Sequence, residues 1–460
     1  MLFSSQVFLL LFLPVVVAVY YMVARHAALR LWWLLAASLL FYGYWDARLV
    51  PLLLGSILVN WLVALAYRRF GQGAWIVAGV AFNLGLLGVF KYADFFAETA
   101  AGLGGFAHAP WNIVLPLGIS FFTFQQLSYL VDLRKQSTPL YELRDFGVYV
   151  TMFPQLIAGP IVRHHELVPQ FPLDPRREGL DERLARGLAM LAIGLAKKLF
   201  IADPLGRIAD PIYALAARGE LPGFAEGWMA AFAFCFQVYF DFSAYSDMAI
   251  GAALMLGLAL PLNFDSPLKA TSMREFWRRW HMTLTRFMRD YLYVPLGGSR
   301  HGELRQAVVT FGMLTLIGLW HGAAWSYVLF GALHGAGLVA NQIWHRRGFS
   351  MPDRLGWALM FLYLTGTTVV FRAADLASAG RMFAAMAGQG GPAVRPVDAA
   401  ELGVLAVAAA VAFLAPSSQA LALERMRPGR AVAALIAVAL VLAAIEAGTE
   451  AEVPFVYFQF

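Results

Sequence analysis

Apolar residues fill this chain in runs of membrane length, and short connectors between them carry most of the charge. Candidate spans fall at 6–24, 31–46, 49–66, 74–91, 112–132, 146–162, 184–202, 226–258, 306–320, 324–342, 355–372, 400–414 and 431–446. Such runs match the hydrocarbon thickness of a bilayer, so the pattern predicts membrane helices. The 226–258 segment is too long for one untilted crossing at about 1.5 Å per residue. It also contains Asp241 and Asp247, so it is expected to be broken or strongly tilted. Residues 273–293 carry a different pattern. Phe276, Trp277, Trp280, Leu284, Phe287, Met288 and Tyr291 recur on one side, with Arg274, Glu275, Arg278, Arg279, Arg286, Arg289 and Asp290 on the other. This spacing predicts an amphipathic helix lying in the cytoplasmic membrane interface.

Basic residues sit in alternate connectors. Arg25 with Arg30, Arg68 with Arg69, Arg134 with Lys135, the block Lys269–Arg300, His345 to Arg347, and Arg425–Arg430 are expected to face the cytoplasm. The connectors at 47–48, 92–110 and 373–398 are poorer in positive charge or mixed, and are placed outside.

Composition agrees with a membrane protein: of 460 residues, 60% are hydrophobic and 14% charged, and the mean hydropathy is +0.63. The 35 Lys and Arg against 29 Asp and Glu lie in short connectors. They read as topology signal and lipid contact, not as a nucleic-acid surface. The single cysteine, Cys235, excludes an internal disulfide and a multi-cysteine metal site, and is expected to be a small buried hydrophobe. Residues 1–24 lack a basic start and a small-residue cleavage site, so they read as the first membrane helix. The expectation is one all-α polytopic domain over 1–460.

Charge parity adds a constraint on the histidines. Between Arg300 and Arg347, both cytoplasmic in this scheme, the chain makes an even number of crossings, which leaves room for two short helices or a re-entrant hairpin. The natural break is Trp320-His321-Gly322, which puts His321 at depth beside a cavity. An ionisable residue in such a run marks a functional site by default, and histidine is suited to proton transfer. The same parity across 135–269 requires a re-entrant or split segment, assigned to Phe153–Pro160 for its two prolines and glycine.

His281 falls on the apolar face of the interfacial helix, as a second catalytic histidine or as a core histidine bonded to backbone. Asp241, Ser243, Tyr245 and Asp247, with Gln237 nearby, either hold helices together or line a tunnel. The arginines of the interfacial helix either contact headgroups or cradle the phosphates of a cytoplasmic cofactor, and Lys197 and Lys198 are either snorkelling anchors or contacts to those phosphates. His334, thirteen positions after His321, shares no face with it on a straight helix. His164 and His165 lack nearby cysteines and helical ligand spacing, which argues against a metal there. No Walker loop, GxGxxG turn or GxSxG elbow is present.

These motifs resemble the membrane-bound O-acyltransferase family, in its bacterial alginate O-acetyltransferase-like branch. The likeness rests on Leu115–Gln126, Phe153–Ile161, Gln237–Asp247, Glu275–His281, Arg289–Tyr293 and Leu319–Gly322, and runs from Phe3 near the start to Phe455–Phe460. It implies about 11–13 membrane helices with re-entrant and interfacial helices around a central tunnel. The family histidine maps onto His321 and the second histidine discussed in this branch onto His281. His321 would be the base or a transient acyl carrier. Asp241, Tyr245, Asp247, Gln237, Trp320 and Trp277 would line the tunnel. Arg278, Arg279, Lys197 and Lys198 would meet the donor phosphates, with no metal. Acetyl-CoA would be the donor, and an exported polysaccharide or a periplasmic partner protein the acceptor, in a bacterial inner membrane. A transporter or flippase, and a scaffold subunit of an export complex, are the rival readings.

Overall fold

In the computed structural model the chain is helical throughout its regular elements, and the structure describes residues 1–392, 398–449 and 453–456. Residues 457–460 of the C-terminal motif and part of the 373–398 connector lie outside the described residues. Among the described residues, four helical stretches are long and apolar enough to cross a membrane: Ala47–Phe70, Gly73–Gly104, Asp353–Arg372 and Arg430–Thr449. Val7–Met22, Ala27–Gly43 and Ala399–Leu414 are shorter apolar helices. Only 6% of the apolar window in Arg430–Thr449 is buried, and Leu435, Val438, Val441, Leu442 and Ile445 are exposed. A helix this apolar and this bare requires hydrocarbon around it, so the protein is a multi-pass membrane protein.

The chain separates into two compact units. The first comprises residues 1–194, 245–262 and 422–454. Phe3, Phe8, Phe12, Phe41 and Phe153 form its aromatic centre, with ring centroids 4.8 Å apart for Phe3–Phe8 and 5.3 Å for Phe12–Phe153. Asn83 donates to the Asn60 carbonyl oxygen at 2.6 Å, joining the helices Val50–Phe70 and Gly73–Leu87. In an apolar medium such a pair satisfies groups that solvent cannot reach. The segment expected to be irregular is irregular: helix Leu143–Thr151 ends, and residues 152–160 turn without forming another helix. They are buried, and Phe153 N donates to Ser38 Oγ at 3.0 Å while Gln155 Nε2 donates to Tyr149 O at 2.6 Å. Non-helical backbone inside a membrane protein is tolerated where protein surrounds it in this way. His164 is pinned between Asp132 Oδ2, 3.1 Å from Nε2, and the Tyr141 and Thr138 hydroxyls, 3.1 and 3.2 Å from Nδ1.

The second unit comprises residues 195–244, 263–421 and the chain from 455. Helix Phe224–Met255, whose first part belongs here, runs unbroken for 32 residues. Of the two expectations, a break or a strong tilt, the break is absent, and Asp241 is paired inside the unit with Lys198, 2.8 Å away. The expected two short helices between Arg300 and Arg347 are instead full-length: Glu303–His321 has 19 residues and Trp325–Arg346 has 22. The break falls where expected, at extended Gly322 (φ −159°). Small residues let the two backbones touch. A Cβ at Gly318 would press on the Tyr327 carbonyl and sit 2.7 Å from Gly331 Cα, and one at Gly331 would sit 2.9 Å from Gly318 Cα.

The single helix expected over 273–293 is two helices and a π-helical turn: Met273–Arg279, Met282–Met288 and Arg289–Tyr293. The interruption is at Trp280 and His281, where His281 adopts a left-handed conformation (φ 42°). Ser272 Oγ caps the first helix by accepting from Glu275 N at 3.3 Å. Because the backbone turns at His281, helical spacing does not set its direction.

Replacing Gly331 by Ala is expected to pry the hairpin apart. The loss should be about 1–3 kcal/mol of stability, the range for overpacking, read as a lowered melting midpoint of the detergent-purified protein. Gly312→Ala on the facing helix Glu303–His321, where a Cβ meets nothing within 4 Å, should leave the midpoint in place.

Candidate active site

His321 is the last residue of Glu303–His321 and is 7% exposed. Its ring lies 4.9 Å from that of Trp320, 5.4 Å from Phe371 and 6.1 Å from Phe330. It lines an internal cavity of about 50 Å³. Asp241, Trp277, His334, Cys235 and Val456 share that lining with mostly aromatic and aliphatic neighbours. By volume the cavity admits only a few small groups or waters. All of these residues belong to the second unit.

Sequence spacing separated His334 from His321; the hairpin reunites them. Folding back at Gly322 brings Phe330 to 6.1 Å from His321 and 4.4 Å from His334, and both histidines reach one cavity. The straight-helix argument failed because the two residues are on different helices. Cys235 is buried, as expected, and in addition faces this space.

His281 is fully buried beside the cavity but is not among its lining residues. Its Nδ1 is 3.0 Å from Asn263 Oδ1, an oxygen that also accepts from Thr283 Oγ1 at 2.8 Å. An acceptor there requires Nδ1 to carry the proton, leaving Nε2 as the bare nitrogen. Burial pushes the imidazole pKa down to about 3, so it is neutral. The ring packs 6.2 Å from that of Trp320, the residue next to His321.

The other candidates disperse. Asp241 accepts from Lys198 at 2.8 Å through one oxygen and from Val456 N at 2.8 Å through the other. Lys198 also meets Asp203 at 2.7 Å and is 1% exposed. With two carboxylates around it, Lys198 is an internal counter-ion and does not present itself to donor phosphates. Lys197 Nζ donates to Ser243 Oγ at 3.0 Å. Gln237 packs against Gly206 and lies outside the cavity lining. Tyr245 and Asp247 belong to the first unit, where Tyr245 stacks on Phe3 at 4.7 Å. Arg279 is held by Glu275 at 2.8 Å, whereas Arg278 is exposed. Burial raises the pKa of Glu275, but hydrogen bonds from Thr271 and the Arg279 charge bring it below the usual carboxylate value.

Residues 119–353, a span that includes His281, His321 and His334, match the membrane-bound O-acyltransferase family. The chain belongs to that family. It is 39% identical to a peptidoglycan O-acetyltransferase of Helicobacter pylori over 85% of this chain and 80% of the relative. It is 36% identical to a protein of Pseudomonas putida named "Probable alginate O-acetylase AlgI", over 89% and 85% of the two chains. A teichoic acid D-alanyltransferase of Bacillus subtilis is 25% identical over 57% of this chain. This membrane-bound O-acyltransferase is therefore an enzyme, with a buried histidine at a cavity in its helical interior. The sequence had offered Asn263, Thr367 and His334 no role: Asn263 and Thr367 act through contacts across the chain, and His334 was judged on a single straight helix.

Removing the ammonium at position 198 leaves two buried carboxylates without their counter-charge. Lys198→Met is expected to lower stability by about 3–5 kcal/mol. The triple change with Asp203→Asn and Asp241→Asn should recover a good part of it, as compared by thermal melts in detergent.

Proposed function

We propose that this enzyme transfers an acetyl group from a cytoplasmic thioester, acetyl-CoA, to a hydroxyl of an exported polysaccharide, directly or through a periplasmic partner protein. It would do so in the cytoplasmic membrane of a bacterium. The observation that carries the reading is His321, held at a helix end within the matched family span and in the wall of a small, largely apolar cavity. The relatives' names, which state O-acetylation of peptidoglycan and of alginate, support the acetyl group and the polymer.

The acceptor oxygen attacks the thioester carbon, His321 takes the hydroxyl proton, and the departing thiolate receives it, giving an ester and a thiol. The carbonyl oxygen becomes negative on the way and requires a hydrogen-bond donor. His281, neutral and locked by Asn263, would support this centre through its packing on Trp320. On the side where the basic connectors are expected, an open cleft of about 520 Å³ is bordered by Ser272, Asn341, Trp344, His345 and Phe349. It offers room for the donor's polar head, and Arg278, exposed on the helix Met273–Arg279 whose start borders the cleft, would meet its phosphates.

His321→Ala should cut base-labile polymer acetate at least about 100-fold, the scale of a lost general base, at unchanged protein level in the membrane fraction. Polymer that stays acetylated but fails to leave the cell would overturn the enzyme assignment of His321 in favour of transport. Arg278→Ala should raise the KM for acetyl-CoA up to about fivefold with kcat held, the scale of an exposed ionic contact.

A further inference from the structure

Two buried polar atoms of the His321 cavity have no protein partner among the described residues: the indole N–H of Trp277 and Nδ1 of His334. Their side chains are neighbours, with ring centroids 5.5 Å apart, and both residues are buried, His334 at 2% exposure and Trp277 at 6%. A buried polar atom left without a partner costs about 1–3 kcal/mol, and two beside one cavity mark a place made for a ligand.

The protonation of His334 is set by the protein. Its Nε2 lies 3.0 Å from Thr367 Oγ1, and the Thr367 hydroxyl donates its own proton to Leu364 O at 3.0 Å. Thr367 Oγ1 can then only accept, so Nε2 carries the imidazole proton and Nδ1 is a bare lone pair. Trp277 can only donate. One donor and one acceptor beside a small cavity are the complement of a single alcohol hydroxyl, which accepts with its oxygen and donates with its hydrogen.

We infer that Trp277 and His334 form the binding site for the acyl-acceptor hydroxyl, with the Trp277 N–H holding the oxygen and His334 Nδ1 receiving the hydrogen. This rests on the acyl-transfer reading and adds to it the position at which the acceptor enters. A hydroxyl hydrogen rotates about its C–O bond, so the oxygen stays on Trp277 while the hydrogen swings from His334 to His321, the base. His334 thereby makes the cavity selective for alcohols over ligands with no hydrogen to donate.

The test uses two replacements of opposite geometry in the full-length protein, expressed in its own cells and assayed by base-labile acetate per unit of membrane-inserted enzyme. Asparagine at position 334 puts an amide oxygen near the place of Nδ1 and gives up Thr367. Glutamine reaches the place of Nε2, keeps Thr367 and leaves the cavity without the acceptor. His334→Gln is expected to lose about tenfold or more in acetate, the value of one buried hydrogen bond, and His334→Asn to retain several times the activity of His334→Gln. Trp277→Phe, which keeps the ring and removes the donor, should fall with His334→Gln. Glutamine activity equal to wild type, or asparagine no better than glutamine at equal insertion, overturns the hydroxyl site. His321→Ala measured alongside separates the two readings: if it is silent while His334→Gln is fully active, only the hydroxyl site fails. If His321→Ala remains active, the acyl-transfer assignment itself fails.

Discussion

The close approach of the backbones at Gly318 and Gly331 is the contact on which the site depends. These two glycines let Glu303–His321 and Trp325–Arg346 lie against each other without intervening side chains. That contact fixes where His321 stops, where Phe330 stands beside it, and how His334 returns to the same cavity. In hydrocarbon there is little hydrophobic gain from bringing helices together, so tight van der Waals packing of small residues carries the association. A site assembled on two rigid helices in this way is positioned more tightly than one carried by loops.

Buried charge is handled by pairing throughout the second unit. Lys198 is enclosed by Asp203 and Asp241, and Asp241 also receives the backbone N–H of Val456. Asp241 is therefore engaged in holding helix ends and the approach to the C-terminus. Around the cavity the pattern differs: the histidines are oriented by neutral partners, Asn263 for His281 and Thr367 for His334. Neutral imidazoles in fixed tautomers suit acyl transfer, where a lone pair must be ready before the substrate arrives.

The hydrophobic pattern alone established a helical membrane protein, because only a bilayer makes runs such as 431–446 stable. Charge parity, with glycine and proline acting on the backbone locally, located the break at Gly322 and the irregular stretch at 153–160. The ordered motifs along the chain, among them the one around His321, were enough to indicate the family. Local periodicity went wrong at 273–293, where one left-handed residue at His281 splits the helix.

What the sequence could not determine was which polar residues meet. His281 with Asn263, His334 with Thr367, and Lys198 with Asp203 and Asp241 are pairings made by packing of separate segments. Hydropathy shows that a polar group inside the membrane must find a partner, because bare polar atoms are costly there. It cannot show which partner, since that choice depends on how the helices are set against one another. The chain by itself specified the medium and most of its helices, and singled out His321 as the candidate histidine. The tertiary structure decided that a second histidine, a tryptophan and a small apolar space stand next to it.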